Sequence, residues 1–222
     1  MDLDKGRATH KATIRSKKFQ GLRDVAAISG KKFFASIWQP EENEFFRFTR
    51  EFTGRDIGAL VFFDGKYTKY VERNIRSPAG MIYETINERL YVASEGALSI
   101  LVYSVSSTSS IRMIKEIPLL SAPSLMWLGS DRSLIVAAQP IRVRSLLHRI
   151  NTTTNYTPSQ ILRVHTIGNI SEEQRIDELY VNDGATVSGA TAVVVSGGSL
   201  ILGSPGQPIL SCHLPPWLSF QL

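Results

Sequence analysis

From Ala59 onward the apolar residues fall into short β-branched and aromatic runs, each closed by a turn-forming pair, and no helical period competes with them. The pattern predicts strands at Val25–Ile28, Lys32–Ile37, Ala59–Phe63, Lys66–Glu72, Gly80–Tyr83, Arg89–Ala93, Ser99–Tyr103, Arg112–Lys115, Leu125–Leu128, Ser133–Ala137, Arg142–His148, Glu178–Val181, Thr191–Val195, Leu200–Leu202 and Ile209–Cys212. Asp64-Gly65, Glu95-Gly96, Ser130-Asp131, Asn182-Asp183-Gly184, Gly197-Gly198 and Ser204-Pro205-Gly206 supply the turns. About sixteen short strands at regular spacing imply an all-β sandwich or propeller.

One stretch breaks the pattern. Pro40 opens it, Glu41, Glu42 and Glu44 come early, Arg47 and Arg50 late, and Gly54 stops it, so a helix is predicted over Pro40–Phe52. Phe45, Phe48 and Phe52 share one side of that helix. The first reading is packing against a sheet; the second is a surface helix that dips its Phe face into lipid or a partner.

Composition narrows the class without naming a function. With 43% apolar and 20% charged residues among 222, the chain is globular rather than disordered. No apolar run approaches the ~18 residues of a membrane-spanning helix. The opening MDLDKGRATHKATIRSKK has no apolar core, so no signal peptide is visible. Residues 1–35 hold nine Lys/Arg against Asp2, Asp4 and Asp24, which makes them +6 in a chain of net +5. Stacking aromatics are not interleaved with these cations, so residues 1–18 are expected to be a frayed, solvated terminus and no nucleic-acid partner is expected. A lone Cys212 excludes an internal disulfide and a Cys-based zinc site. The polar loop Thr152–Ser159 and its surroundings carry three glycosylation sequons, at Asn151, Asn155 and Asn169.

Templates of catalysis are missing: no G-x-S-x-G, P-loop, G-x-G-x-x-G or H-E-x-x-H occurs. His10, His148, His165 and His213 are scattered and read as surface or satisfied core residues. Asp2-Leu3-Asp4-Lys5-Gly6 only echoes a calcium loop.

The C-terminal run LRVHTIGNISEEQRIDELYVNDGATVSGATAVVVSGGSLILGS…LSCHL resembles the closing blade of the paraoxonase/arylesterase family, whose pattern there includes EE, GST, G-x-LLIG and LYCEL. Leu90–Val105 is similar to the family's VYIAELLAHKIHVYEK, and Lys11–Ile28 to its L-x-TI-x-H-x-L-L-x-x-LNDIVAV, which lies well inside family members. The resemblance implies a six-bladed β-propeller of which about four blades are present, as a single partial domain over 1–222 that lacks roughly the first two blades. It also places a helix over the active-site mouth at Pro40–Phe52, linked to membrane or lipoprotein association. Cys212 matches a cysteine that in the family pairs with one near the N-terminus; this chain has no such partner.

Calcium-dependent hydrolysis of esters and lactones is the chemistry the resemblance implies. Carried over residue by residue, the site is depleted. Of the family's LND, Asp24 survives while Arg23 replaces the neighbouring Asn. In FANG the Asn becomes Ala79, and in VDNIS the Asp-Asn pair becomes Pro123-Ser124. The pocket histidines of the NDH, AHKIHVY and CHP motifs fall on Gln39, Leu98 and Gln139. Calcium is therefore expected to bind weakly or not at all, with Asp24 the one candidate ligand. The expected protein is a paraoxonase-like propeller with lost or impaired hydrolysis, acting on a membrane surface or protein partner of the secretory pathway. Divergent relatives that serve as accessory proteins of membrane channels make that role plausible. The alternative is a working arylesterase or lactonase for small aryl esters or lactones, using Asp24, backbone carbonyls, Ser124 and water.

Overall fold

A computed structural model of the chain describes residues 10, 12–38, 58–166 and 173–214. The helix expected at Pro40–Phe52, with Phe45, Phe48 and Phe52, lies outside these residues, as does Asn169.

The described chain forms four antiparallel meanders arranged as propeller blades. Blade I is β1 (Leu22–Ala27), β2 (Phe33–Ile37), β3 (Gly58–Phe63) and β4 (Thr68–Ile75). Blade II is β5 (Pro78–Glu84), β6 (Arg89–Ser94), β7 (Ser99–Val105) and β8 (Ile111–Pro118). Blade III is β9 (Ala122–Leu128), β10 (Leu134–Gln139), β11 (Ser159–Val164) and β12 (Ile176–Asn182), and blade IV is β13 (Ala192–Ser196), β14 (Ser199–Gly203) and β15 (Leu210–His213). The first strands run side by side, β1 beside β5, β5 beside β9 and β9 beside β13, so they line the inner wall.

Period-2 geometry explains why the middle strands are apolar throughout. Leu90 and Val92 of β6 face blade I, where they meet Phe34, Leu60 and Phe62. Tyr91, between them, faces blade III with Ile100, Val102, Leu134 and Val136. β10 repeats the arrangement: Leu134 and Val136 face blade II, while Ile135 and Ala137 pack on Val193, Val195 and Leu200 of blade IV. A strand buried on both faces has no polar side to show. The outer face of blade I also has a core, with Ala35, Ile37 and Val61 beneath Phe19, Phe33 and Tyr70. The tightest hairpin, β13–β14, pairs Ser196 with Ser199 across Gly197 (φ 56°) and Gly198 (φ 72°), a two-residue turn that requires left-handed backbone at both positions.

Two sequence readings need correction. Arg142–His148, expected as a strand, is part of a helix, α1 (Arg142–Ile150). Its first turn has no acidic residue and Ile141 gives no side-chain cap, so the start signals are missing; the helix is held by burial of Ser145, Leu146 and His148. Conversely, Ser159–Val164 lacks polar alternation but forms β11, because β10 and β12 hydrogen-bond to it from both sides.

Candidate functional site

The starts of β1, β5 and β9 converge at one end of the inner wall, and the positions that the family resemblance marks as metal ligands converge with them. Asp24, at the start of β1, accepts hydrogen bonds from the Met81 amide to Oδ2 (2.7 Å) and the Val25 amide to Oδ1 (2.8 Å). Ser36 on β2 donates to the Ala79 carbonyl (2.6 Å) and accepts from the Asp24 amide (3.1 Å). Gly80 lies against β9 so closely that an added Cβ would stand 2.6 Å from the Ser124 carbonyl oxygen. Asp24, Ala79 and Ser124 are thus neighbours in space, brought together by three separate strands.

Between them these three positions offer one carboxylate. Calcium takes six to eight oxygens, several of them carboxylate. Here each Asp24 oxygen accepts one backbone N–H group, Ala79 and Pro123 bring only carbonyls, and Ser124 is buried. Among the described residues no three His, Cys, Asp or Glu side chains are grouped to share a metal ion.

Beside Asp24 a cationic cluster spans three elements. Glu95, 3% exposed in the β6–β7 turn, pairs with Arg149 of α1 and faces Arg23 at 3.9 Å. Both guanidinium groups lie over the Trp38 ring, Arg23 at 4.7 Å and Arg149 at 5.1 Å from its centroid. The Trp38 indole N–H is buried and has no hydrogen-bond partner among the described residues. One buried carboxylate and one indole thereby tie blade I, blade II and α1 together across the mouth of the inner wall.

Burial is the largest influence on the Asp24 carboxyl and raises its pKa above 3.8; the Met81 and Val25 amides and the Arg23 charge oppose it without prevailing. The folded state therefore holds this proton more tightly than the unfolded chain does. Asp24's stability contribution is largest below pH 3.8 and is lost as pH rises through the folded value. Unfolding free energies of the wild type and Asp24→Asn, measured from acid to neutral pH, should show the wild type losing ground to the variant as pH rises. A difference that grows with pH would contradict this.

A second buried polar group holds α1 against blades III and IV. His148 Nδ1 meets the Asn155 carbonyl oxygen at 2.7 Å, and Nε2 is buried with no hydrogen-bond partner among the described residues. Gln139 accepts from the Ser145 hydroxyl and donates to the Ala190 carbonyl (3.3 Å). Of the other histidines, His165 meets Asp177 (2.8 Å), His10 meets Thr13 (3.0 Å) and His213 meets Ser199 (3.4 Å), far apart in the chain. Of the described sequons, Asn151 is exposed just past α1, and its side-chain oxygen accepts from the Thr153 hydroxyl (2.7 Å). Asn155 is half-buried, its amide donating to the Leu147 carbonyl (2.9 Å). Cys212 is free and packs on the blade IV core.

Sequence reasoning singled out Asp24 and Arg23 but missed Glu95, Arg149 and Trp38. Glu95 looked like half of a turn pair, and Arg149 lay just past the segment misread as a strand, so only the fold brings these groups together.

Comparison with solved structures supports the propeller. A luciferin-regenerating enzyme superposes with a TM-score of 0.55 at 15% identity, covering 82% of this chain and 52% of its own. A protein from Lactobacillus plantarum gives 0.50 at 14% identity, covering 86% and 51%. By sequence, the chain is 26% identical to Mechanosensory abnormality protein 6 of Caenorhabditis elegans over 96% of its length. It is 22% identical to Serum paraoxonase/lactonase 3 of Oryctolagus cuniculus and 20% identical to Serum paraoxonase/arylesterase 2 of Homo sapiens, in each case over 92% of its length. The chain spans 57% of the length of each of these three relatives. No helix among the described residues is long and apolar enough to cross a membrane. Residues 3–214 match the family described as Arylesterase, and the chain belongs to that family.

Proposed function

We propose that this chain is a paraoxonase-like propeller that no longer carries out calcium-dependent ester or lactone hydrolysis and acts instead through its surface. The observation that carries the reading is the state of Asp24. The carboxylate retained from the family's metal site accepts two backbone N–H groups, and its neighbour is a guanidinium engaged with Glu95 and Trp38. A metal ligand must turn lone pairs toward the ion; here one lone pair of each oxygen is taken up by β5 and β1. The cluster of Glu95, Arg149, Arg23 and Trp38 serves as a clamp between blade I, blade II and α1 next to Asp24.

The relatives are compatible with that reading in two ways. Some are named for paraoxonase, arylesterase or lactonase chemistry, whereas the one at 26% identity is named for a mechanosensory defect. A surface role fits the second kind, with a membrane surface or a protein of the secretory pathway as partner. The test is phenyl acetate turnover by the purified chain across a calcium series. The expected result is no turnover at any calcium concentration; saturable, calcium-dependent turnover would restore the hydrolase reading with Asp24 in a rearranged site.

Asn151 is the glycosylation position we favour, because it is exposed and its side chain already lies against the hydroxyl of its own sequon threonine. Expressed behind a secretory leader, the chain should show a glycosidase-sensitive shift on gels that Asn151→Gln reduces by one glycan step. An unchanged shift in that variant would remove Asn151 from the account.

A further inference from the structure

The positive charge of this protein is concentrated on one blade. Residues 12–38 and 58–76, which build blade I and its lead-in, hold ten Lys/Arg against Asp24, Asp64 and Glu72. That is +7 in a chain whose net charge is +5, so the rest is slightly acidic. Six of these cations, Lys17, Lys18, Lys31, Lys32, Lys66 and Lys69, form no ion pair among the described residues. All but Lys18 are exposed.

Three separate chain segments bring these lysines to one edge. Lys31 and Lys32 lie in the β1–β2 turn and Lys66 in the β3–β4 turn, at the opposite end of the blade from Asp24. The two turns touch: Gly65 sits where an added Cβ would be 3.5 Å from the Lys31 Cβ, and Asp64 feels the Lys32 charge. Asp64, whose Oδ1 accepts from the amides of Lys66 (2.8 Å) and Tyr67 (2.7 Å), sets one negative charge against the lysines and leaves the edge net positive. The lead-in turn Lys17–Phe19 joins the edge through Ser16, whose hydroxyl meets that of Thr68 (2.9 Å). An aromatic column fixes the spacing beneath, with Phe19 5.9 Å from Phe33 and Phe33 5.1 Å from Phe63. Tyr67, 64% exposed, stands among the lysines with the Lys66 ammonium 4.9 Å from its ring.

We propose that this edge of blade I docks the protein on anionic lipid headgroups. Exposed lysines on adjacent hairpin tips form an array of point charges, suited to a diffuse negative plane rather than to the narrow bidentate geometry that favours arginine. Long aliphatic stems and one exposed tyrosine suit a headgroup layer, where amphipathic side chains settle with the polar end in water. Among the described residues Tyr67 is the one exposed ring at this edge, which argues against a stacking platform for nucleic acid. The inference rests on the surface-acting reading above and supplies it with a partner.

The test is co-sedimentation of the full chain with phosphatidylcholine vesicles, with and without phosphatidylserine, at low and high salt. Binding is expected only with phosphatidylserine present, and it should weaken steeply as salt rises. Lys31→Glu/Lys66→Glu should lower the partition coefficient at least about twentyfold, from the free energy each lysine gains near an anionic surface. Arg112→Glu/Arg144→Glu, an equal charge change on β8 and α1, should leave it within about twofold. Thermal melts of both variants establish that they fold. Equal binding to uncharged vesicles, an unaffected lysine variant, or an arginine variant that loses as much would overturn the proposal. So would retention of duplex DNA with no vesicle binding, which would assign the edge to nucleic acid. The two readings fail separately, because ester hydrolysis would overturn the first with vesicle binding intact, whereas loss of the lipid contrast would overturn this one with hydrolysis still absent.

Discussion

Phe34→Ala is expected to cost the fold about 4 kcal/mol, the largest loss of any single change considered for this protein. Phe34 is 0% exposed and its ring centroid lies 5.1 Å from that of Phe62. Both belong to the cluster in which blade I meets Leu90, Val92 and Leu101 of blade II. Truncation removes the stacking pair and leaves a void between two rigid sheets, which cannot move together without disturbing the Met81–Asp24 and Ser36–Ala79 bonds at the inner wall. Urea denaturation measures the loss. A cost below about 1.5 kcal/mol would mean that the blade I–blade II interface is not closely packed.

Gly80→Ala should cost about 3 kcal/mol, although it adds a single methyl group. The new Cβ would stand 2.6 Å from the Ser124 carbonyl oxygen, 2.8 Å from the Leu125 Cα and 3.2 Å from the Met126 nitrogen. All three are backbone atoms of β9, so no side-chain rotation relieves the clash and β5 must separate from β9. Gly30→Ala is the control, since nothing lies within 4 Å of the position its Cβ would take, and it should stay within about 0.5 kcal/mol of wild type. Equal stability of the two variants would contradict the close approach of the inner strands.

These two positions also mark how far the sequence could be read. The strand containing Phe34 was legible from its run of apolar residues between Lys32 and Ile37, and the Gly197-Gly198 hairpin from its turn chemistry, because both signals are local. The family pattern in residues 162–214 made the propeller itself legible, and the four meanders follow it. The need for glycine at position 80 was not visible, because it depends on a strand more than forty residues away that the fold brings within van der Waals distance. For the same reason the clamp of Arg23, Glu95, Arg149 and Trp38 could not be assembled from spacing. Each member looked ordinary in its own segment, Glu95 as a turn acid and Arg149 as a residue just past an expected strand. α1 was misread because the alternation of Arg142, Val143 and Arg144 imitates a strand while its burial at Ser145, Leu146 and His148 is imposed by contacts from elsewhere. At the candidate site the resemblance pointed to Asp24, with Arg23, Ala79 and Pro123 at other positions it marks. That Asp24 holds β5 by the Met81 amide required the structure.

Calorimetric titration of the purified chain with Ca²⁺, with phenyl acetate hydrolysis assayed in the same sample, tests the central claim most directly. The account predicts no saturable heat of binding and no turnover, because the Asp24 oxygens remain on the Met81 and Val25 amides. Saturable binding accompanied by turnover, both lost in Asp24→Ala, would contradict it and return this propeller to the hydrolases.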